Sequence, residues 1–274
     1  MLNIIPDPDK LIYSKEKKKV VLFYFFKYSD KKTNSKKIKK TFRDNDIKCL
    51  HWFNCEYTII GKKDYWTTAS IVELSSKEHL KEVFKKKIIN NNITALQVFN
   101  IKPNNPSKAV LFIIKLFLRP FGILIDMIIK NSYDSIDLNS KILPTKKQFL
   151  KLYNDKRKKK AFMINLLESY KTAKYDNNKI ISGKEAYYKK YGNVAIRSVI
   201  LTGGDLTFVG KIIGNTLIEY NLPNDTKGNW ESIGIMEYCK PNKLFSLQKM
   251  PGYKKALIHR NAGLKRTVNI FSLK

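Results

Sequence analysis

The chain has 274 residues, 43% of them hydrophobic, which is enough for one large or two smaller domains with a hydrophobic core. Lysine and arginine number 53 against 23 aspartates and glutamates, a formal net charge of +30. This surplus favours phosphate backbones, anionic lipids or acidic ligands as partners, although lysine-rich solvated surface explains it without any partner. The three cysteines, Cys49, Cys55 and Cys239, are too few for a disulfide scaffold and indicate a reducing, cytoplasmic compartment.

The first half of the chain alternates strand and helix patterns. A polar N-terminal lead-in lacks the features of a signal peptide. A basic helix is predicted after the first strand, and a capping-box pattern at Ser75 and Glu78 predicts a second helix. Runs rich in β-branched and aromatic residues predict strands over 20–26, 50–60, 66–74 and 94–101. The predicted order is β-α-β-β-α-β.

Residues 108–130 form the most apolar segment. Lys115, Arg119 and Asp126 would share one narrow face of a helix there, and Pro120 predicts a kink or a split. Three placements stay open: a helix buried between the two halves, a helix lying flat on an anionic membrane surface, and a membrane span. The three charged groups disfavour the span.

The second half repeats the order of the first. Strands are predicted over 161–167, 205–214, 230–238 and 266–273, and helices over 183–202 and 241–250. The halves also align without a gap around their third strands, where Trp66, Glu73, Leu80 and Val83 correspond to Trp230, Glu237, Leu244 and Leu247. This correspondence favours an internal duplication.

Several separately placed motifs of the second half resemble a known family. They include 144–149 (PTKKQF), Tyr191-Gly192, Gly203-Gly204 and Trp230, and they end with 259–264 (HRNAGL). Residues 144–273 thereby resemble the domain-of-unknown-function 1330 family, within the ferredoxin-like, dimeric α/β-barrel superfamily. Residues 18–103 match only in element order and around Trp66, and lack the HRNAGL ending.

The resemblance implies an α+β fold. It consists of two tandem ferredoxin-like βαββαβ units, each with a four-stranded antiparallel sheet and two helices on one face. The bare faces of the two sheets are expected to pair as an intrachain α/β barrel, because an apolar sheet face needs cover. The expected domains are 18–103, a degenerate copy; 104–143, an apolar helical linker; and 144–273, the better-preserved copy.

His259 and Arg260 are the strongest candidate catalytic pair. A histidine transfers protons near neutral pH, and an adjacent arginine holds a carboxylate or enolate through two hydrogen bonds. The alternative is that both tie the turn before the last strand to the sheet, with Ala262 and Gly263 permitting close backbone approach. Glu237 is a candidate base or partner of His259 if its strand face looks inward, and otherwise an outward or strand-end residue.

The candidate ligand-binding residues are polar or aromatic groups in apolar surroundings. Asn165 lies in an apolar strand and either orients a ligand or bridges to a neighbouring strand. Aromatic residues with polar tips line a cavity or simply pack; they are Tyr191, Trp230, Tyr238 and Tyr253. Cys49, His51 and Cys55 alternate onto one strand face, but their spacing is not that of a structural metal site, so no metal is expected.

Two functions follow from these observations. The first is an α/β-barrel protein that binds or transforms a small hydrophobic or anionic molecule without a bound organic cofactor, acting as a pseudo-dimeric monomer or a homodimer. The second is a non-catalytic basic protein that docks to an anionic membrane surface through 108–130 and its lysine runs. Nucleic acid is a weaker partner, because the basic runs lack interleaved aromatic residues.

Overall fold

A computed structural model describes residues 19–61, 64–85, 92–128, 143–176, 180–222, 224 and 226–274. The side chains of 85 and 126–128 are not described. Three features of the sequence therefore lie outside the described side chains. They are most of the N-terminal lead-in, the predicted helix-face charge of Asp126, and the lysine run 85–87.

The first half forms a four-stranded antiparallel sheet. Its strands are β1 (Val20–Tyr28), β2 (Lys48–Ile60), β3 (Thr68–Leu74) and β4 (Ile93–Pro103). They lie in the order β4-β1-β3-β2, with β1 in the centre between β3 and β4. Helices α1 (Lys31–Asp44) and α2 (Lys77–Lys85) complete the predicted βαββαβ order. Ser76 caps α2 by accepting a hydrogen bond from the His79 backbone, one position later than the predicted cap.

The second half repeats this sheet. Its principal strands are β5 (Ala161–Ser169), β6 (Asp205–Ile212), β8 (Ser232–Tyr238) and β9 (Leu264–Leu273), in the order β9-β5-β8-β6. This is the same arrangement of first, second, third and fourth strands as in the first half. A short extra strand, β7 (Ile218–Tyr220), pairs with β4 and was not predicted.

The two sheets close on each other into one barrel. β2 pairs with β9, and β4 pairs with β6, so that each edge strand of one half finds an edge strand of the other. Every strand pairing is antiparallel. The prediction of two tandem ferredoxin-like units forming an intrachain α/β barrel is thus confirmed, and closure satisfies the edges that an open sheet exposes.

Aromatic and branched side chains fill the barrel interior. They alternate along the strands with residues that face outward, as the period of two requires. Trp66 and Trp230, the aligned tryptophans, are both buried in this inner cluster. The rings that crowd the centre belong to Phe23, Phe25, Phe53, Phe99, Phe162 and Phe208.

Helices cover the outer faces of both sheets. On the first half, α1 and α2 bury Ile38, Phe42 and Leu80 against the outward residues of β1. On the second half the cover consists of a π-helical segment (Glu185–Tyr191), α5 (Gly192–Leu201), a 3₁₀ helix (Pro241–Lys249) and α6 (Tyr253–Gly263). Two of these differ from the prediction: 183–202 is not uniformly α-helical, and α6 occupies a stretch expected to be a turn. A further unpredicted helix, α4 (Lys146–Tyr153), begins at a capping box formed by Thr145 and Gln148.

Among the described residues of the apolar linker 104–143 there is one helix, α3 (Lys108–Ile128), which runs through Pro120 without interruption. Of the kink or split predicted at Pro120, the split is therefore not observed. Helix α3 packs beside α5, and Phe112, Leu116 and Phe117 are 66%, 62% and 64% exposed. These exposures contradict the placement buried between the halves. No helix within the described part of the chain is both long and apolar enough to cross a bilayer.

Candidate functional site at the barrel mouth

An open pocket of about 400 Å³ lies at one end of the barrel. It is lined by Lys159, Lys160, Phe162, Glu237, Leu273 and Lys274. Strand directions bring these residues together, because β5 starts, β8 ends and β9 ends at the same edge of the second sheet. The size suits a small organic molecule.

The charges at this mouth are mostly positive. Lys160 Nζ lies 2.6 Å from Glu237 Oε1, and Lys274 Nζ lies 5.0 Å from the centre of the Phe162 ring. The Lys160 side chain is 69% exposed, whereas that of Glu237 is 19% exposed. Three lysines and one largely sheltered carboxylate therefore line the mouth, and the exposed ammonium group of Lys160 can also be reached by an anion from solvent.

Glu237 faces the barrel interior. It follows Ile233 and Ile235, both of which lie in the inner cluster, on the same face of β8. Its register partners, Phe162 on β5 and Asp205 on β6, flank it on both sides. The inward orientation that its candidate role requires is therefore present, at the rim of the barrel.

His51 is a second titratable group at this end of the barrel, although its position in the sequence suggested only a metal ligand. Its ring stacks on Phe53 at 5.7 Å and meets Phe208 edge to face. Its Nδ1 is buried and has no hydrogen-bond partner among the described residues. Burial lowers the pKa of His51, and the charge of Lys274 lowers it further. At neutral pH an uncharged imidazole thus lies beside the cationic mouth.

The expected alternation of Cys49, His51 and Cys55 onto one face is wrong. A register shift between Cys49 and His51 pairs Cys49 with Val72, which faces outward, and His51 with Ile71, which faces inward. Burial raises the pKa of the Cys55 thiol to about 12, so it is not a ready metal ligand. Within the described residues, no three His, Cys, Asp or Glu side chains are grouped to hold a metal ion.

His259 and Arg260 lie on α6, behind the second sheet rather than in the barrel. His259 Nδ1 is 2.7 Å from the hydroxyl of Tyr175, and Arg260 is buried with only 8% exposed. Glu237 faces the opposite side of that sheet, so the structure does not bring it together with His259. The catalytic role of the pair remains a prediction, but its location is outside the pocket described above.

The end of the HRNAGL motif has a packing explanation. A Cβ at Gly263 would lie 2.6 Å from the carbonyl oxygen of Gly183 and 2.8 Å from the Tyr187 nitrogen. The Gly263 carbonyl accepts a hydrogen bond from the Tyr170 backbone, and the Ala262 carbonyl accepts one from Lys174. Small residues therefore allow α6 to approach the segment that follows β5, as the structural alternative for this motif expected.

Three candidate ligand-binding tyrosines do come together, but on the helix-covered face. Tyr191, Tyr238 and Tyr253 are buried in the same outer cluster, and the hydroxyls of Tyr191 and Tyr253 lie 3.2 Å apart. Burial raises the pKa of Tyr253, and the charge of Arg260 opposes this rise. They pack beneath α5 and α6, away from the barrel mouth.

The other two candidates are engaged by neighbouring strands and loops. Asn165 donates to the Met163 and Gly234 carbonyls and accepts from Asn269 at 2.6 Å, so it bridges β5 to β8 and β9. Trp230 lies in the inner cluster, donates to the Thr226 carbonyl and carries the Arg266 guanidinium 4.1 Å over its ring. Neither residue lines the pocket at the mouth.

Comparison with known proteins adds no family assignment. No protein-family model matches the chain, and no curated protein matches it. Among solved structures, a protein of unknown function from Rhodopseudomonas palustris is 27% identical, covering 47% of this chain and 93% of its own, with a TM-score of 0.40. An anthrone oxidase-like protein is 11% identical over 96% of this chain and 94% of its own, with a TM-score of 0.44.

A mutant chlorite dismutase from Candidatus Nitrospira defluvii is also similar. It is 9% identical over 95% of this chain and 93% of its own, with a TM-score of 0.40. At such TM-scores the α/β-barrel fold of this chain rests on its own strand order and register.

Proposed function

We propose that the protein binds a small aromatic anion at the mouth of the barrel. The observation that carries the proposal is the lining of the pocket, in which Lys159, Lys160 and Lys274 line the same space as Phe162, with Lys274 Nζ 5.0 Å from the centre of that ring. Lysine ammonium groups attract an anionic head group, and an aromatic wall accepts a flat apolar body. A ligand of this kind competes with Glu237 for Lys160.

Two groups at this end of the barrel are suited to accept a proton from a bound molecule. Glu237 lines the pocket directly, and His51 lies behind Phe53, next to Lys274. In the proposed transformation one of them takes a proton from the bound molecule, and the resulting anion is stabilised by the lysines. This step requires no organic cofactor.

We also infer that residues 144–273 descend from the domain-of-unknown-function 1330 family, and that 18–103 is its degenerate copy joined through 104–143. The support is that motif residues occupy positions with specific demands. Gly204 is one of them, since a Cβ there would lie 2.4 Å from the Glu237 carbonyl oxygen.

The binding proposal is tested with two matched probes, 2-naphthoate and the uncharged 2-naphthamide. Isothermal titration with the full chain is expected to show naphthoate binding about tenfold more tightly, since the lysines recognise charge. Lys160→Met and Lys274→Met are each expected to weaken naphthoate binding several-fold and to leave naphthamide nearly unchanged.

Lys171→Met is the matched control, because Lys171 is exposed and follows β5 at the opposite end from the pocket. This substitution lowers the net charge of the chain by one, as each of the mouth variants does. If Lys171→Met weakens naphthoate binding as much as the mouth variants do, the anion is held by the overall charge and the proposed site is wrong. Equal affinity for the two probes contradicts the proposal as well.

A further inference from the structure

Helix α3 contacts the body of the protein through a very narrow stripe. The described residues that are not exposed recur at spacings of four, three, four and three; they are Leu111, Lys115, Leu118, Gly122 and Ile125. On a helix this spacing marks a single seam. At Gly122 the seam is so close that a Cβ would lie 1.7 Å from the carbonyl oxygen of Leu201 at the end of α5.

The outward face of α3 is apolar, unlike that of an ordinary surface helix. Lys115 points towards the protein and pairs with Asp205, and Arg119 donates to the Gly204 carbonyl. Large apolar side chains point away from the protein, with exposed fractions from 36% to 66%. Six of them are Phe112, Leu116, Phe117, Phe121, Ile123 and Leu124. A contiguous apolar face of this kind marks an interaction surface.

The charge around this face selects its occupant. Lys102 and Lys211 are exposed register partners next to the start of α3, and Lys108 is its exposed first residue. Residues 108–125 contain no acidic residue, and the whole chain carries a net charge of +30. Two copies meeting through α3 would bring these lysines together and repel, whereas anionic lipid head groups would neutralise them.

We propose that α3 lies in the interface of an anionic lipid bilayer, with its exposed apolar face among the acyl chains. Interfacial helices combine such a face with flanking lysines, and binding grows with both buried apolar area and attraction to anionic lipid. The helix does not cross the bilayer. Because Lys115 pairs with Asp205, the register partner of Glu237, docking places the barrel mouth beside the lipid surface.

The test is flotation of the full chain with vesicles of phosphatidylcholine alone and of equal parts phosphatidylcholine and phosphatidylglycerol. We expect flotation with the anionic vesicles, weakening as salt is added. The triple variant Phe112→Gln, Leu116→Gln, Phe117→Gln is expected to lose at least about tenfold in partitioning. The control Ile180→Gln, Ile258→Gln removes exposed apolar residues outside α3 and should float like the unmodified chain.

Three outcomes would overturn the proposal. The first is that the unmodified chain fails to float with anionic vesicles at low salt. The second is that the triple variant floats as well as the control. The third is that the unmodified chain does not float and is a dimer, which the α3 variants convert to a monomer. If the triple variant does not fold, Phe117→Trp takes its place. Brominated lipid must then quench its fluorescence beyond that of the unmodified chain, and absence of extra quenching also rejects the proposal. Naphthoate binding in the same variants reports separately on the pocket.

Discussion

Lys160 Nζ lies 2.6 Å from Glu237 Oε1, and the first half of the chain repeats this pair as Lys19 and Glu73 at 2.9 Å. Each lysine immediately precedes the first strand of its half, and each glutamate is in the third strand. The gapless alignment of Glu73 with Glu237 therefore corresponds to a shared contact. The proposed duplication accounts for an ion pair at both positions, while the described pocket is lined by second-half residues alone.

The first prediction separates these two equivalent glutamates. Glu237→Gln is expected to raise the affinity for 2-naphthoate several-fold, because it removes the carboxylate that competes for Lys160. Glu73→Gln is the matched control and should leave that affinity unchanged. Isothermal titration at low salt measures both, and equal effects of the two substitutions would show that the probe does not bind beside Glu237.

The second prediction concerns Gly122, where α3 crosses the end of α5. In an exposed helix, replacing glycine by alanine stabilises by about 1 kcal/mol. Here Gly122→Ala is expected to destabilise by about 1–3 kcal/mol, because the added methyl group overlaps the Leu201 carbonyl. Urea unfolding gives the sign, with Leu124→Ala as a control at an exposed position on the same helix. A more stable Gly122→Ala variant would mean that α3 does not pack on this seam.

The third prediction tests what the HRNAGL motif does. Gly263→Ala is expected to lower the free energy of unfolding by about 1–3 kcal/mol, because its Cβ would meet the backbone of Gly183 and Tyr187. His259→Ala is expected to lower the melting temperature and leave naphthoate binding at the mouth unchanged. Loss of naphthoate binding in a folded His259→Ala variant would contradict this expectation and show that His259 contributes to the binding site.

The succession of strands along the chain was predictable because both halves place dense β-branched and aromatic runs between clear breaks, as in 20–26 and 161–167, whereas their arrangement in the sheet was an expectation from the family resemblance. The helix α6 was not, because its buried residues include small and charged ones rather than an apolar stripe. Tyr253, Ala256, Arg260, Ala262 and Gly263 are buried there. The spacing of apolar residues indicates a helix only when the buried positions of that helix are the apolar ones.

The residues that line the pocket could not be grouped from the sequence. Lys160 and Lys274 are 114 positions apart and meet only because β9 pairs with β5. Cys49 was assigned to the wrong strand face for a different reason, since the bulge after it breaks the alternation that would have placed it with His51 and Cys55. Glu237 could be grouped with Ile233 and Ile235 from their regular alternation, although the sequence left open whether that face looks inward.

The last prediction is a pH dependence of stability that belongs to His51. Burial, and then the Lys274 charge, lower its pKa in the folded state below the ordinary value of 6.5. Below that value the unfolded chain binds a proton that the folded chain does not, so stability falls as the pH drops through this window and is constant above it.

His51→Phe keeps the stacking on Phe53 and removes the titrating group. The free energy of unfolding, measured in urea from about pH 8 to about pH 5, is therefore expected to decline less in the variant than in the unmodified chain. Carboxylates titrate alike in both proteins, so the difference in slope isolates His51. Parallel curves would mean that this imidazole is protonated as readily in the folded chain as in the unfolded one, and that it is not the neutral proton acceptor proposed for the barrel mouth.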